Sequence, residues 1–287
     1  MGGRGKASGR TAQRVAKQRT RGVAEVEQFQ TLEVSTDQRG VATIALNRPE
    51  RHNAMDGQMI GDLSNAAILL DDDPRVRVVV LSARGKSFCA GADLGWLEAM
   101  IGGDHEFRIE EATRLANMLN TLDSLGKPLV GRIQGQAFGG GIGLICTCDV
   151  TIGVPSCRFG LTETRLGLVP ATIGPYVVKR LGVGNSRWLF ASPRLMNSDE
   201  ALDLGILSRV VQGEELDGSI EGAVAPFLMA APGAVRTAKS LVRRLGGEID
   251  RETIRGTADL LVDVLEGREA KEGIGAFFRK SSPPWQV

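Results

Sequence analysis

The sequence predicts an α/β fold in which a core of parallel strands is followed by an all-helical C-terminal region. Three observations carry that prediction. Residues 76–81 are a near-continuous β-branched run, the composition of a strand covered on both faces. Strand-like and helix-like segments alternate over the first two-thirds of the chain, and helices alone follow from about residue 214. The 287 residues, 42% of them hydrophobic, suffice for one large domain with a smaller appendage.

The chain divides into a basic extension (1–22), a core (23–213) and a helical region (214–287). The extension holds seven Lys/Arg and no Asp/Glu; with +1 overall, the remainder carries −6. It is too polar to bury and is expected to stay disordered. An Arg-rich, acid-free start also fits an organellar transit peptide, but its apolar face is thin, so the expected location is cytoplasmic. A seven-charge arm would bind nucleic acid in a salt-dependent way. No aromatic side chain interleaves with its charges, so no specific nucleic-acid partner is expected. No apolar run approaches the ~18 residues of a membrane span.

Residues 32–35 and 41–46, joined by Asp37-Gln38-Arg39-Gly40, read as a β-hairpin. A polar loop containing Pro49 follows. Asp56 caps a helix whose apolar positions are Met59, Ile60, Leu63, Ala66, Ala67 and Leu70, and residues 71–74 end it. After the 76–81 strand, a loop of small residues (84–94) opens a short helix, which Asp93 can cap. A longer helix spans about 106–122, and 128–133 is the next strand. Residues 149–153 form another strand, with Asp149 tying its start to a backbone N–H. Residues 159–170 are a loop, and helices are expected over 173–181, 185–190 and 198–204. A short strand at 210–211 precedes three or four helices to residue 280.

Cys89, Cys146, Cys148 and Cys157 are expected to be buried, inert thiols. His52 and His105 stand in unlike contexts, and no second cysteine pair has zinc-site spacing, so no metal site is expected.

The most telling stretch is Gly135-Gln136-Ala137-Phe138-Gly139-Gly140-Gly141-Ile142-Gly143-Leu144. Consecutive glycines at a strand-to-helix junction lose much chain entropy on folding. They suit a place where bare N–H groups at a helix start face a negative oxygen, or equally a tight turn with close helix–strand packing. The spacing is not that of a dinucleotide fingerprint.

Taken in order, Lys86-Ser87-Phe88-Cys89-Ala90-Gly91-Ala92-Asp93-Leu94, the triple glycine closing with Cys148-Asp149, and Phe159-Gly160-Leu161-Thr162-Glu163 followed by Leu166-Gly167-Leu168-Val169-Pro170 resemble the crotonase (enoyl-CoA hydratase/isomerase) family. The Leu46-Asn47-Arg48-Pro49 loop and the helical C-terminus match too, so the resemblance covers about residues 25–285. It implies a crotonase-type ββα superhelix that binds an acyl-CoA thioester and needs no cofactor beyond the coenzyme A of its substrate. It implies a homotrimer or a dimer of trimers.

By motif position, the resemblance implies that the N–H groups of Ala92 and Gly140 polarise the thioester carbonyl and that Glu163 is the acid/base. Ala90, Gly91, Asp93 and Leu94 around the first donor, and Gly139, Gly141 and Gly143 around the second, are counted as substrate contacts. Many hydratases of the family use a second glutamate where this chain has Gly143. Its absence leaves enoyl isomerisation, or another enolate chemistry, as an alternative to hydration. Taken without the motif, Glu163 would be expected to pair with Arg158, Arg165 or Arg187. Arg48 and Arg51 are candidates for the CoA phosphates. Phe278 and Lys280 are candidates for completing the CoA pocket, and Phe277 is expected in the core. The glycine stretch and residues 168–176 resemble the branch containing methylglutaconyl-CoA and isohexenylglutaconyl-CoA hydratases. Those substrates carry a second carboxylate, for which Arg165 or Lys179 is a candidate partner. A weak acyl-CoA-binding protein is a reading from a different class.

Overall fold

A computed structural model describes residues 29–286. The basic extension therefore lies outside the described residues. The hairpin is present: β1 (Leu32–Thr36) pairs antiparallel with β2 (Val41–Leu46). Helix α1 (Gly57–Asp72) starts at Asp56, whose carboxylate accepts the Met59 N–H at 2.8 Å. Its buried face holds all six apolar positions expected from their spacing, and adds Asp62. Met59, Ile60, Leu63 and Leu70 each contribute roughly 1.5–3 kcal/mol by leaving water.

Strand β3 (Val78–Ala83) is buried along its whole length, as a β-branched run predicts. Strands β5 (Leu129–Ile133), β7 (Val150–Gly153) and β9 (Arg209–Val210) complete a sheet of order β1-β2-β3-β5-β7-β9. All pairs after the hairpin are parallel. Asp149 has the expected role: its carboxylate accepts the Leu129 N–H at 2.7 Å and pairs with Lys239.

A second sheet replaces what the sequence suggests are loops. It consists of β4 (Ser87–Cys89), β6 (Gln136–Phe138) and β8 (Phe159–Gly160), in that order and parallel. At two or three residues each, these strands are too short to show alternation. They repeat the order of β3, β5 and β7, because each lies on the chain leaving one of those strands. A helix follows each of the first two: α2 (Leu94–Gly102) with α3 (His105–Asp123), then α4 (Gly140–Cys146). After β8 come a 3₁₀ turn, Glu163–Leu166, and α5 (Gly174–Ala191). The two helices expected over 173–190 are both present within this span, separated by a kink at Gly182, whose φ of 77° and ψ of 162° are not helical. Beyond α6 (Ser198–Asp203), four helices form the C-terminal region: α7 (Leu216–Met229), α8 (Pro232–Leu245), α9 (Arg251–Glu266) and α10 (Arg268–Phe278).

Two clusters of apolar side chains result. The larger fills the space between sheets and helices. The smaller joins Leu97 and Met100 of α2 and Ala112 of α3 to Ala258, Val262 and Leu265 of α9 and Ile274 of α10. The C-terminal helices thus pack directly on the helices that follow β4. Among the described residues no single helix is long and apolar enough to cross a membrane.

The segments that lead into β4 and β6 touch backbone to backbone. A methyl group at Gly135, between β5 and β6, would overlap the Lys86 carbonyl and stand 3.0 Å from the Ser87 Cα. Overpacking of this kind costs about 1–3 kcal/mol. Gly135→Ala is therefore expected to lower stability by that amount in denaturant unfolding, whereas Gly218→Ala, with no atom within 4 Å, does not lower it.

Candidate active site

The exits of the three short strands converge. After β4, Met55 forms an isolated parallel bridge with Ala92. Its N–H donates to the Gly91 carbonyl and its carbonyl accepts the Asp93 N–H, both at 2.8 Å. In an extended segment successive N–H groups point to opposite sides, so the Ala92 N–H is turned away from Met55. Gly91 makes the bend with φ 95°. A methyl group there would lie 3.1 Å from the Phe138 carbonyl, so this loop rests against the exit of β6.

At that exit Gly139 takes φ 48° and ψ −117°, and α4 begins at Gly140. As the first helical residue, Gly140 has no carbonyl of its own helix to bond, and its N–H is free. The Gly139 carbonyl is used up by the Ile142 and Gly143 N–H groups. A methyl group on Gly140 would strike the Met55 thioether, and one on Gly139 would come within 3.0 Å of Glu163 Oε1. The close approach expected of this stretch is thus present at Gly139 and Gly140, and the helix start leaves the Gly140 N–H facing outward from its own helix.

Glu163 opens the 3₁₀ turn after β8, and its backbone carbonyl accepts the Leu168 N–H at 3.1 Å. Its Oε2 is enclosed and has no hydrogen-bond partner among the described residues. It pairs with none of Arg158, Arg165 and Arg187, the ion pairs expected of it without the motif. Burial pushes its carboxyl up to about 7. A carboxyl in that range accepts and returns protons near neutrality.

Ala92, Gly140 and Glu163 line one cavity of about 520 Å³. Its closed end is apolar: Trp96, Met100 and Leu115 meet Leu261 and Leu265 of α9. Ala90, Gly91, Leu94 and Gly139 line it as expected. Several expected contacts do not. Asp93 is the N-cap of α2, accepting the Gly95 N–H at 2.8 Å and the Trp96 N–H at 3.3 Å. Arg48 is not available to a phosphate: its guanidinium spans Asp56 at 3.0 Å and Asp93 at 3.2 Å, bracing the N-caps of α1 and α2. Arg51 is exposed on a 3₁₀ turn and does not line the cavity.

Gly141 and Gly143 are packing positions rather than contacts. A methyl group at Gly141 would lie 2.5 Å from the Cys89 carbonyl, and one at Gly143 would overlap Ile173. Where a second carboxylate would be rooted, Ile173 already stands. Phe278 and Lys280 lie off the cavity, and Phe277, expected in the core, lines it while 48% exposed. Residues 270, 273, 274 and 277 share one helical face, turned to the Glu163 segment, and residue 278 falls beside it. Of the two cations considered for a second carboxylate, Arg165 lines the cavity, while Lys179 pairs with Asp123 at 3.6 Å.

Met55, Trp96, Ile173 and Leu261 were not singled out from sequence. Leu261 and Leu265, at i and i+4, carried the one usable signal, but it reads equally as core. The four cysteines are buried and free as expected, and burial pushes the thiols of Cys89, Cys146 and Cys148 up to about 12. Among the described residues no group of three side chains is placed to hold a metal ion.

The family model described as enoyl-CoA hydratase/isomerase matches residues 36–287. A putative enoyl-CoA hydratase of Thermus thermophilus is 32% identical over 252 residues, covering 87% of this chain and 99% of that protein. A crotonyl-CoA hydratase of Syntrophomonas wolfei is 29% identical, covering 84% and 92%. Among solved structures, a putative enoyl-CoA hydratase of Mycobacterium avium paratuberculosis superposes with a TM-score of 0.80 at 27% identity, covering 89% and 99%. A putative enoyl-CoA hydratase/isomerase (crotonase) of Legionella pneumophila superposes with a TM-score of 0.70 at 34% identity, covering 90% and 100%. With the repeated strand–short strand–helix core and its convergent exits, these likenesses establish that the chain belongs to the enoyl-CoA hydratase/isomerase family.

Proposed function

We propose that the protein adds water across the α,β double bond of an acyl-CoA thioester. The observation that carries this is the meeting of one enclosed carboxylate with two free backbone N–H groups in one apolar cavity. The thioester oxygen rests on the N–H groups of Ala92 and Gly140. Donors fixed in advance are worth about 3–4 kcal/mol each as negative charge gathers there. Glu163, as the carboxylate, takes a proton from water while the water oxygen bonds to Cβ. The π electrons move onto the thioester as an enolate. Protonated Glu163 then gives its proton to Cα and ends as it began. One carboxylate serves both transfers, and no redox or metal chemistry enters.

The acyl group we assign is branched or glutaconyl-type, with a second carboxylate. Arg165 supports this: it is exposed, lines the cavity and makes no ion pair among the described residues. We further propose that the enzyme is cytoplasmic and assembles as a trimer or a dimer of trimers. A second reading, enoyl isomerisation, is favoured by Ile173 filling the space beside Gly143, because moving a proton between Cα and Cγ needs only one base.

Purified protein is expected to hydrate crotonyl-CoA or 3-methylglutaconyl-CoA, and Glu163→Gln to lose about 10²-fold or more of that turnover. Run in oxygen-18-labelled water, hydration labels the product. An unlabelled product with a shifted double bond would move the assignment to isomerisation.

The base must be ionised to take the first proton, and its pKa is about 7. A plot of kcat/KM against pH is thus expected to fall below pH about 7 and to level off above it, and a flat profile between pH 5 and 8 would sink the role given to Glu163.

Charge-assisted bonds are worth about 1.5–3 kcal/mol, so Arg165→Ala is expected to lower kcat/KM for 3-methylglutaconyl-CoA about 10- to 100-fold while sparing crotonyl-CoA. Equal losses on both thioesters would remove the second-carboxylate assignment.

A further inference from the structure

The 3₁₀ turn that carries Glu163 has little holding it from its own side of the molecule. Among the described residues Glu163 has no ion pair, and the Thr164 hydroxyl is enclosed without a partner. What bounds the turn is α10. Gly167 ends the turn at φ 69°, and a methyl group there would stand 2.5 Å from the Glu269 carbonyl oxygen and 2.7 Å from the Ala270 nitrogen. One helical turn further on, a methyl group at Gly273 would lie 2.5 Å from both the carbon and the oxygen of the Leu166 carbonyl. These are backbone-to-backbone contacts, so no rotamer change relieves them. The Trp285 ring stands beside the same contact, 2.9 Å from that methyl group. Residues 270, 273 and 277 share one face of α10, and Phe277 on that face lines the cavity.

We propose that Gly273 is a positioning residue for Glu163: it lets α10 seat directly on the backbone of the catalytic turn, so that the C-terminal helix sets where the carboxylate stands. The inference rests on Glu163 being the base proposed above. A methyl group at 273 must push residues 166–167 away from α10. Glu163 lies one turn of backbone from that contact, its carbonyl bonded to Leu168. The carboxylate then shifts against the two N–H donors, which stand on other strands and do not follow.

The test is Gly273→Ala in the full-length enzyme, read by steady-state kinetics over a pH series. A misplacement of the order of 1 Å is expected to cost about 10- to 100-fold in kcat, with KM moving much less. The acid limb of the profile is expected to move down toward the ordinary carboxylate range as water reaches Oε2. A helix that merely supports the fold would lower activity in proportion to the folded fraction and leave the acid limb in place. Gly256→Ala on α9, where no atom lies within 4 Å, is the control and should match the wild type.

If Gly273→Ala does not fold, Trp285→Ala carries the test. It removes the ring packed beside the Gly273–Leu166 contact without adding an atom, and a smaller drop in kcat with the same downward movement of the acid limb is expected. Wild-type kcat and an unmoved limb in whichever of the two variants folds would overturn the inference. Glu163→Gln separates the two failures. If it is as active as the wild type, the mechanism itself falls. If it is inactive while Gly273→Ala behaves as wild type, only the positioning role falls.

Discussion

The hydrogen bonds of the small sheet, β4 to β6 to β8, are what the site depends on. Each strand of that sheet leads, within four residues of its end, to one of the three groups proposed to act on the thioester: Ala92 after Cys89, Gly140 after Phe138, Glu163 after Gly160. The register Cys89↔Ala137 and Phe138↔Gly160 therefore sets the relative height of two donors and one acid. Sheet hydrogen bonds tolerate little slip, because a one-residue shift sends every side chain to the other face. The Gly139 N–H bonded to the Gly160 carbonyl at 3.0 Å is the last rung before the groups diverge. The larger sheet contributes by holding β3, β5 and β7 in the same order, so the smaller one inherits its arrangement.

Electrostatically the site is spare. Enclosure by apolar walls, with no cation paired to it, keeps the Glu163 carboxyl near neutrality. Had Arg165 reached it, the carboxyl would have been held in its ordinary range or below, a poor proton donor at pH 7. Three carboxylates on the elements around the cavity are committed elsewhere. Asp56 and Asp93 cap helices and share Arg48, and Glu111 takes the Trp96 indole N–H and the Arg114 guanidinium. Those pairings brace the walls: the first fixes the loop that carries Ala92, the second fixes a ring at the closed end of the cavity.

Much of the fold was legible in the sequence, because its signals are local. The α1 face, the β3 run, the Asp56 cap and the Asp149 tie each follow from spacing or from one side chain's chemistry. The second sheet was not legible, since two-residue strands such as β8 are defined by their partners and carry no periodicity. At the site, motif order singles out Ala92, Gly140 and Glu163, and the structure brings these three to one cavity. The errors fell where long-range packing decides. Arg48 looks like a free cation until Asp56 and Asp93 are placed beside it. Gly141 and Gly143 look like part of one binding loop until Cys89 and Ile173 are seen against them. Phe277 and Phe278 are indistinguishable until the face of α10 is known.

The contact between Gly143 and Ile173 bears on how this active site can change over generations. A glutamate arriving first at 143 meets Ile173 Cβ at 2.9 Å from its own first carbon and has nowhere to go. A glycine arriving first at 173 leaves a void where a buried branched side chain stood, at a cost of several kcal/mol. Each single step is harmful and only the pair is compatible, so the two positions are epistatic. A lineage holding glycine and isoleucine here is separated from a two-carboxylate site by a valley, and a one-carboxylate site in this fold is a stable state rather than a single substitution's lapse.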